Sequence, residues 1–169
     1  PFVNKALVAV EGRQYAAGET PPPRWTKVVS PGYLETMGTE IIAGGDVTWA
    51  DIEAGGRVAL ISEEFAREFG PSPADALGKR IRTPIETDDW PEVIGVVGSV
   101  KEEQLYQQSP SIVYWPALMA NAFGNEQMGV GATAFVVRSE RTGTASLLSE
   151  MREAIWSVNR DAPIALERT

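Results

Sequence analysis

Three times along the chain a short β-type run leads into a helix-start signal and then into Gly or Pro. Trp25–Ser30 (WTKVVS) has strand composition, and Ser30-Pro31 places a capping residue before a first-turn proline. Tyr33, Leu34 and Met37 share a helical face, Gly38 offers a left-handed stop, and Thr39–Ala43 (TEIIA) is strand-like again. Val58-Ala59-Leu60-Ile61 runs into Ser62-Glu63-Glu64, a cap with acids in the first turn, and stops at Gly70-Pro71. Near the end, Ala132–Arg138 (ATAFVVR) precedes a helix predicted over about 144–159. Its positions Leu148, Met151, Ile155 and Val158 form an apolar stripe, and Pro163 and a strand-like Ile164-Ala165-Leu166 follow. Strands and short helices interleaved in this way predict an α+β fold.

The units at 25–44 and 132–166 can pack side by side as a porter-like lobe, a split ferredoxin-like sandwich with helices on one face of a four-stranded sheet. Charge separates them from the middle. Residues 49–128 hold six Lys+Arg against thirteen Asp+Glu, a net of −7, whereas 1–48 sums to −1 and 129–169 to 0. The expected division is therefore 1–48 with 129–169 as one discontinuous lobe, and 49–128 as an inserted acidic α+β lobe. Further strands are expected at Ala6–Val10, Arg80–Thr83, Glu92–Val100 and Ile112–Trp115, with a stiff polyproline connector at Glu19-Thr20-Pro21-Pro22-Pro23-Arg24. Hinges are expected where the chain crosses between lobes, near Asp46–Trp49 and Met128–Gly131.

Composition removes whole classes of chemistry. There are 169 residues, about one domain's worth, with no His and no Cys. That excludes a Ser-His-Asp triad, a cysteine nucleophile, a Cys/His zinc site and a histidine ligand to haem. A net charge of −8 argues against a nucleic-acid surface, which needs clustered Lys and Arg. No run approaches the roughly 20 apolar residues of a membrane span. The first residue is Pro1 rather than Met, so the sequence reads as a processed or excised soluble piece of a larger protein.

The motifs that resemble sites have plainer readings beside them. Gly129-Val130-Gly131-Ala132-Thr133-Ala134 fits a dinucleotide fingerprint by letter, but a loop precedes it and a strand follows, the reverse of what phosphate binding at a helix N-terminus requires. Gly78-Lys79-Arg80 lacks the remainder of a phosphate loop and reads as a turn. Asp46, Thr48 and Asp51 lack the alternating acids of a calcium loop. The pairs Glu63/Glu64, Asp88/Asp89 and Glu102/Glu103 are sequence neighbours whose side chains diverge on regular elements. Five tryptophans (Trp25, Trp49, Trp90, Trp115, Trp156) come from five elements, which favours core or interface roles over a sugar-stacking platform. Residues 117–130, with Met119, Phe123 and Met128, form a long loop suited to partner or ligand contact. No catalytic, cofactor-binding or metal-binding residue is assigned.

The order and spacing of several segments carry a family resemblance. Val29–Gly38 (VSPGYLETMG), Ile41–Gly44 with Asp51, Val58–Glu63 with Ala66 and Phe69, Leu77–Ile81, Glu92–Gly98, Val113–Pro116, Phe135–Arg138 and the helix Met151–Asn159 together resemble the periplasmic core domain of MacB-type, FtsX-like ABC transporter permeases. The resemblance covers about residues 25–169. Gly45 stands where the family usually has Arg, and Ser99 where it commonly has Asp. The resemblance implies a non-enzymatic domain on the periplasmic or extracytoplasmic face of a bacterial cell membrane, lying between the first two membrane helices of a permease. It implies as partners an ATPase (nucleotide-binding) subunit that hydrolyses ATP, a periplasmic adaptor and a second permease copy, with no cofactor. Relatives export macrolides or peptides, extract lipoproteins, or signal across the membrane. Two readings from other classes stand beside it, a secreted carbohydrate- or ligand-binding module and a carboxylate-based hydrolase.

Overall fold

The computed structural model describes residues 4–55, 57–83, 90–100, 109–118, 133–165 and 167. Contacts divide the chain into two units, Pro1–Phe135 and Val136–Thr169.

The first unit is built on strands whose sequence is apolar without interruption. β5 (Val58–Ser62) and β8 (Ile112–Pro116) are buried almost end to end, and β7 (Glu92–Val97) nearly so. Such runs belong in the middle of a sheet covered on both faces. Flanking them are β1 (Asn4–Leu7), β3 (Pro23–Val29) and β4 (Ile41–Gly44), giving a six-stranded mixed sheet of order β1-β3-β8-β5-β7-β4. The β3/β8 and β5/β7 ladders are parallel and the other three antiparallel. A ribbon of β2 (Ala9–Val10) and β6 (Ile81–Arg82) makes a second, two-stranded sheet. The single strand expected at 6–10 is thus two. Val8 lies fully buried between them, where the chain passes from one sheet to the other.

Alternation along the central strands divides the core in two. Ala59, Ile61, Val113 and Trp115 join Phe65, Ala66, Ala76, Val8 and Ile81 in one cluster. Leu60, Ile112 and Tyr114 join Val29, Leu34 and Val97 in the other. The first cluster is capped by α3 (Glu63–Ala66) and a single 3-10 turn (Pro73–Ala76), the second by α1 (Tyr33–Met37) through Leu34. α2 (Trp49–Glu53) is a surface turn with no buried residue.

The α+β class agrees with the sequence, and the arrangement inside it differs. β3, α1 and β4 form as expected, and Gly38 caps α1 in the left-handed region at φ 69°, its N–H reaching Glu35 and Leu34 carbonyls. The helix starts later than Ser30-Pro31 predicts, because Gly32 at φ 80° occupies the cap position and Ser30 only closes a turn onto the Tyr33 N–H. β3 and β4 are not neighbours, since β8, β5 and β7 lie between them. Strands from 1–48 and from 49–128 therefore share one sheet, the three from 49–128 forming a block between β3 and β4. α3 is one turn long, shorter than its start and stop signals allow. β7 ends at Val97, short of Val100.

The second unit consists of α4 (Ala145–Val158) and its flanks. Thr144 caps it, accepting from the Leu147 N–H at 3.3 Å. The strand expected at 132–138 is not formed among described residues 133–138, nor is one at Ile164-Ala165. A β-run needs a partner ladder to satisfy its backbone. Without one, Phe135 stays 67% exposed, and α4 buries no residue. No helix among the described residues is long and apolar enough to cross a membrane.

Three substitutions test the packing of the first unit. A Cβ at Gly95 would drive into the Gly45 carbonyl and meet Leu60 Cδ2 at 2.9 Å, whereas a Cβ at Gly45 meets nothing. Gly95→Ala is expected to cost about 1–3 kcal/mol in urea unfolding, and Gly45→Ala less than about 0.5 kcal/mol. Ser62 is fully buried, and its Oγ accepts from the Ile112 N–H at 2.9 Å and donates to the Pro110 carbonyl at 3.3 Å. Ser62→Ala orphans that N–H and is expected to lower stability by about 1–3 kcal/mol in the same measurement.

Candidate interaction surface

Several charged side chains from different parts of the chain come together at α3. Its sequence, EEFA with Arg67 and Glu68 following, places two acids at the start and a base and an acid just past the end. Glu63 pairs with Arg67 at 2.7 Å one turn on. Ser99, just beyond β7, points its hydroxyl between the two first-turn acids. Its Oγ lies 2.7 Å from Glu63 Oε2 and also within hydrogen-bond contact of Glu64 Oε1. Adjacent acids that diverge on a helix are thus drawn together by a residue from another element. The Ser99 bond holds the Glu63 carboxyl below its ordinary value, burial opposes it, and Arg67 adds to the lowering. A general acid needs the opposite shift.

On the other side of α3, Glu68 meets two arginines. Arg24 is 4% exposed on β3, its guanidinium 3.7 Å from the Phe65 ring centroid. It grips both Glu68 oxygens, Nη1 to Oε1 at 2.7 Å and Nη2 to Oε2 at 2.9 Å. Arg13 adds a third bond, Nη1 to Oε2 at 2.8 Å. Burial pushes the Glu68 carboxyl up, but the bonds and charges of Arg24 and Arg13 outweigh it and hold the group below 4.5. One signal could have found this site, an arginine in an inward register of a strand, but the strand read from the sequence begins at Trp25, one residue too late. The partner of that arginine, 44 residues away, was not legible.

The other residues singled out in the sequence fall as follows. Thr48 and Asp51 form a capping box at α2: the Asp51 N–H donates to Thr48 Oγ1 at 3.2 Å, and Asp51 Oδ2 accepts from the Thr48 N–H at 2.8 Å. Asp46 Oδ1 accepts from the Val47 N–H at 2.8 Å, and burial raises its carboxyl in spite of that bond and one from the Gly32 N–H. These oxygens are spent on backbone, and among the described residues no group of three acids converges on a point. Gly78, at φ 74°, turns the chain toward β6, its N–H bonded to the Val93 carbonyl.

Trp115 is 2% exposed, Trp25 is half-buried beneath Lys5 at 4.4 Å, and Trp90 is half-buried against Arg82 at 4.2 Å. Trp49 (54%) and Trp156 (41%) are exposed, one in each unit. In the second unit Trp156 lies with Glu153, Ser157 and Arg160 along an open groove on one side of α4. Of the loop 117–130, Ala117 and Leu118 are described. Leu118 is 55% exposed and holds φ 65°, an unusual conformation for a branched residue. Residues 119–132, which include the glycine-rich motif, the Met/Phe positions and the Met128–Gly131 hinge, lie outside the described residues, as do Asp88/Asp89 and Glu102/Glu103.

This assembly is a set of ion pairs and caps on a sheet scaffold. Residues 1–154 match the MacB-like periplasmic core domain family. This chain belongs to that family. Solved structures agree on the fold. The periplasmic region of MacB from Actinobacillus actinomycetemcomitans superposes with a TM-score of 0.60 at 17% identity, over 92% of this chain and 64% of that one. A domain of a permease from Porphyromonas gingivalis gives 0.58 at 21% identity, over 98% of this chain and 75% of that one. The extracellular domain of the ABC-type transporter YknZ from Gram-positive bacteria gives 0.50 at 24% identity, over 74% and 57%. The chain thus spans about 64% of the length of the MacB periplasmic region that it matches. No curated protein matches it. The extracytoplasmic location and the permease context expected from the sequence follow from family membership.

The Glu68 cluster makes stability pH-dependent in a defined direction. A carboxyl held below 4.5 in the folded state contributes stability that is complete above that value and is lost as pH falls through the folded value. At neutral pH, Glu68→Gln is expected to cost about 2 kcal/mol through lost charge-assisted bonds to Arg24. Urea midpoints measured from pH 7 to pH 3 should show the gap between wild type and variant narrowing on acidification. A gap constant across that range refutes the assignment.

Proposed function

We propose that this chain is a non-catalytic domain of an ABC transporter permease that couples ATP-driven motion of the membrane helices to export of a substrate or to a periplasmic partner. The observation that carries the reading is the family match over residues 1–154. ATP hydrolysis then belongs to a separate nucleotide-binding subunit reached through the full-length permease, which acts as a pair and engages a periplasmic adaptor. The contact surfaces assigned to this domain are the loop 117–130 and the acidic block 49–128. The chemistry of the described residues supports a body that transmits displacement. Their shifted acids near α3 are held low by ion pairs and hydrogen bonds, which favours cross-linking of elements over proton transfer.

A secreted carbohydrate-binding module is less well supported. Stacking on sugars needs exposed, coplanar rings. Here three of the five tryptophans are buried or covered by a cation, and the two exposed ones belong to different units.

The test uses the full-length permease with its ATPase in proteoliposomes. Deleting residues 119–127 is expected to abolish export and adaptor binding while ATP hydrolysis persists. Unchanged export and binding would defeat the loop assignment. A full-length product with no membrane segment on either side of this domain would defeat the permease reading itself.

A further inference from the structure

Residues 11–22, between β2 and β3, form a long excursion in which only Tyr15 and Pro21 are even half-buried. Its internal bonds are local. The Arg13 N–H donates to the Val10 carbonyl at 3.2 Å, the Glu19 N–H to the Ala16 carbonyl at 2.9 Å, and the Ala16 N–H to Glu19 Oε2 at 3.1 Å. At its start the Glu11 N–H is tied to the Arg80 carbonyl at 2.9 Å, and at its end the Pro22 carbonyl accepts from the Val8 N–H at 3.3 Å. Between those ends, among the described residues, two side chains tie it to the rest of the unit: Tyr15, whose hydroxyl accepts from the Val10 N–H of β2 at 3.2 Å, and Arg13, which reaches Glu68 beside α3. Added Cβ atoms at Gly12 and Gly18, both at positive φ, would meet nothing.

The Glu68 carboxylate divides its bonds unequally. Oε1 is held by Arg24 alone, and Oε2 is shared by Arg24 and Arg13. Arg13 is 36% exposed and Arg24 4%. Removing Arg13 leaves Glu68 fully paired and nothing buried without a partner. Removing Glu68 leaves the Arg24 guanidinium buried on Phe65 without its counter-ion. One bond of the three is therefore cheap to break and the other two are not.

We propose that residues 11–22 are a strap latched by Glu68 through Arg13, and that the strap lifts from α3 while the sheet, α3 and the Arg24–Glu68 pair stay closed. Pro21-Pro22-Pro23 stiffens the far end and confines the movement to residues 11–20. The strap gives this extracytoplasmic domain a flap that Tyr15 keeps on β2 while the Arg13–Glu68 ion pair latches it to α3. It stands independently of the transport reading.

Hydrogen exchange followed by mass spectrometry on this chain tests it. In Arg13→Gln, the amides of residues 12–19 should exchange about two- to fivefold faster, with β3, α3 and the melting temperature unchanged. In Glu68→Gln the strap should loosen equally, α3 and β3 should also exchange faster, and the melting temperature should fall. Arg67→Gln, whose partner is Glu63, should leave the strap as in wild type. About 1 M salt should loosen the wild-type strap toward the Arg13→Gln level, since only the exposed arm is screened. Strap amides unaffected by Arg13→Gln, or α3 loosened as much as the strap by that change, would overturn the proposal.

Discussion

The structure depends on β8 finding its place between β3 and β5. Five consecutive residues, Ile112–Pro116, are buried there, with a parallel ladder to Trp25–Val29 on one side and an antiparallel one to Leu60-Ile61 on the other. Parallel pairing of segments more than 80 residues apart carries a loop-closure cost that local contacts cannot offset. It is met by side chains on both faces, Ile112 and Tyr114 in one cluster, Val113 and Trp115 in the other, each worth about 1.5–3 kcal/mol when fully buried. Ser62 secures the same junction, spending its hydroxyl on the backbone at the start of β8. With β5 and β7 beside β8, the acidic middle of the chain forms the centre of the sheet.

That placement explains where the charge goes. A block with a net of −7 supplies three central strands, and its described acids lie on or beside the short helices and at the start of β7. Around α3 they are absorbed by Arg67, Arg24, Arg13 and the Ser99 hydroxyl. Family membership gives these contacts their setting, an extracytoplasmic domain of a permease. The Arg24–Glu68 pair cross-links β3 to the end of α3. Ser99 and Gly45, the two departures from the family pattern, have local consequences. The Ser99 hydroxyl sits against two glutamates where a carboxylate would add a third negative charge, and a Cβ added at Gly45 would meet nothing.

Local signals were read well where they end or begin an element. Gly38 at the end of α1, Thr144 at the start of α4 and the turn at Gly78 act as their residue types require, because capping and left-handed geometry are decided within a few residues. Ser62 shows the limit. Its type and position predict a helix cap, but its hydroxyl turns away to the Ile112 N–H, a donor supplied 50 residues later. The Arg24–Glu68 pair was hidden for the same reason. An inward arginine can be noticed in a strand, while the acid that neutralises it is one among 23.

By itself the sequence determined the α+β class, the position of most strands and helix ends, the chemistry ruled out by absent His and Cys, and the family. These rest on residue type, short-range periodicity and the order of segments. Only the tertiary structure decided that β8, β5 and β7 separate β3 from β4, and that Ser99 and Glu68 gather charges from three parts of the chain. Strand neighbours and ion-pair partners are chosen by which distant surfaces bury together at least cost, and no local pattern encodes that choice.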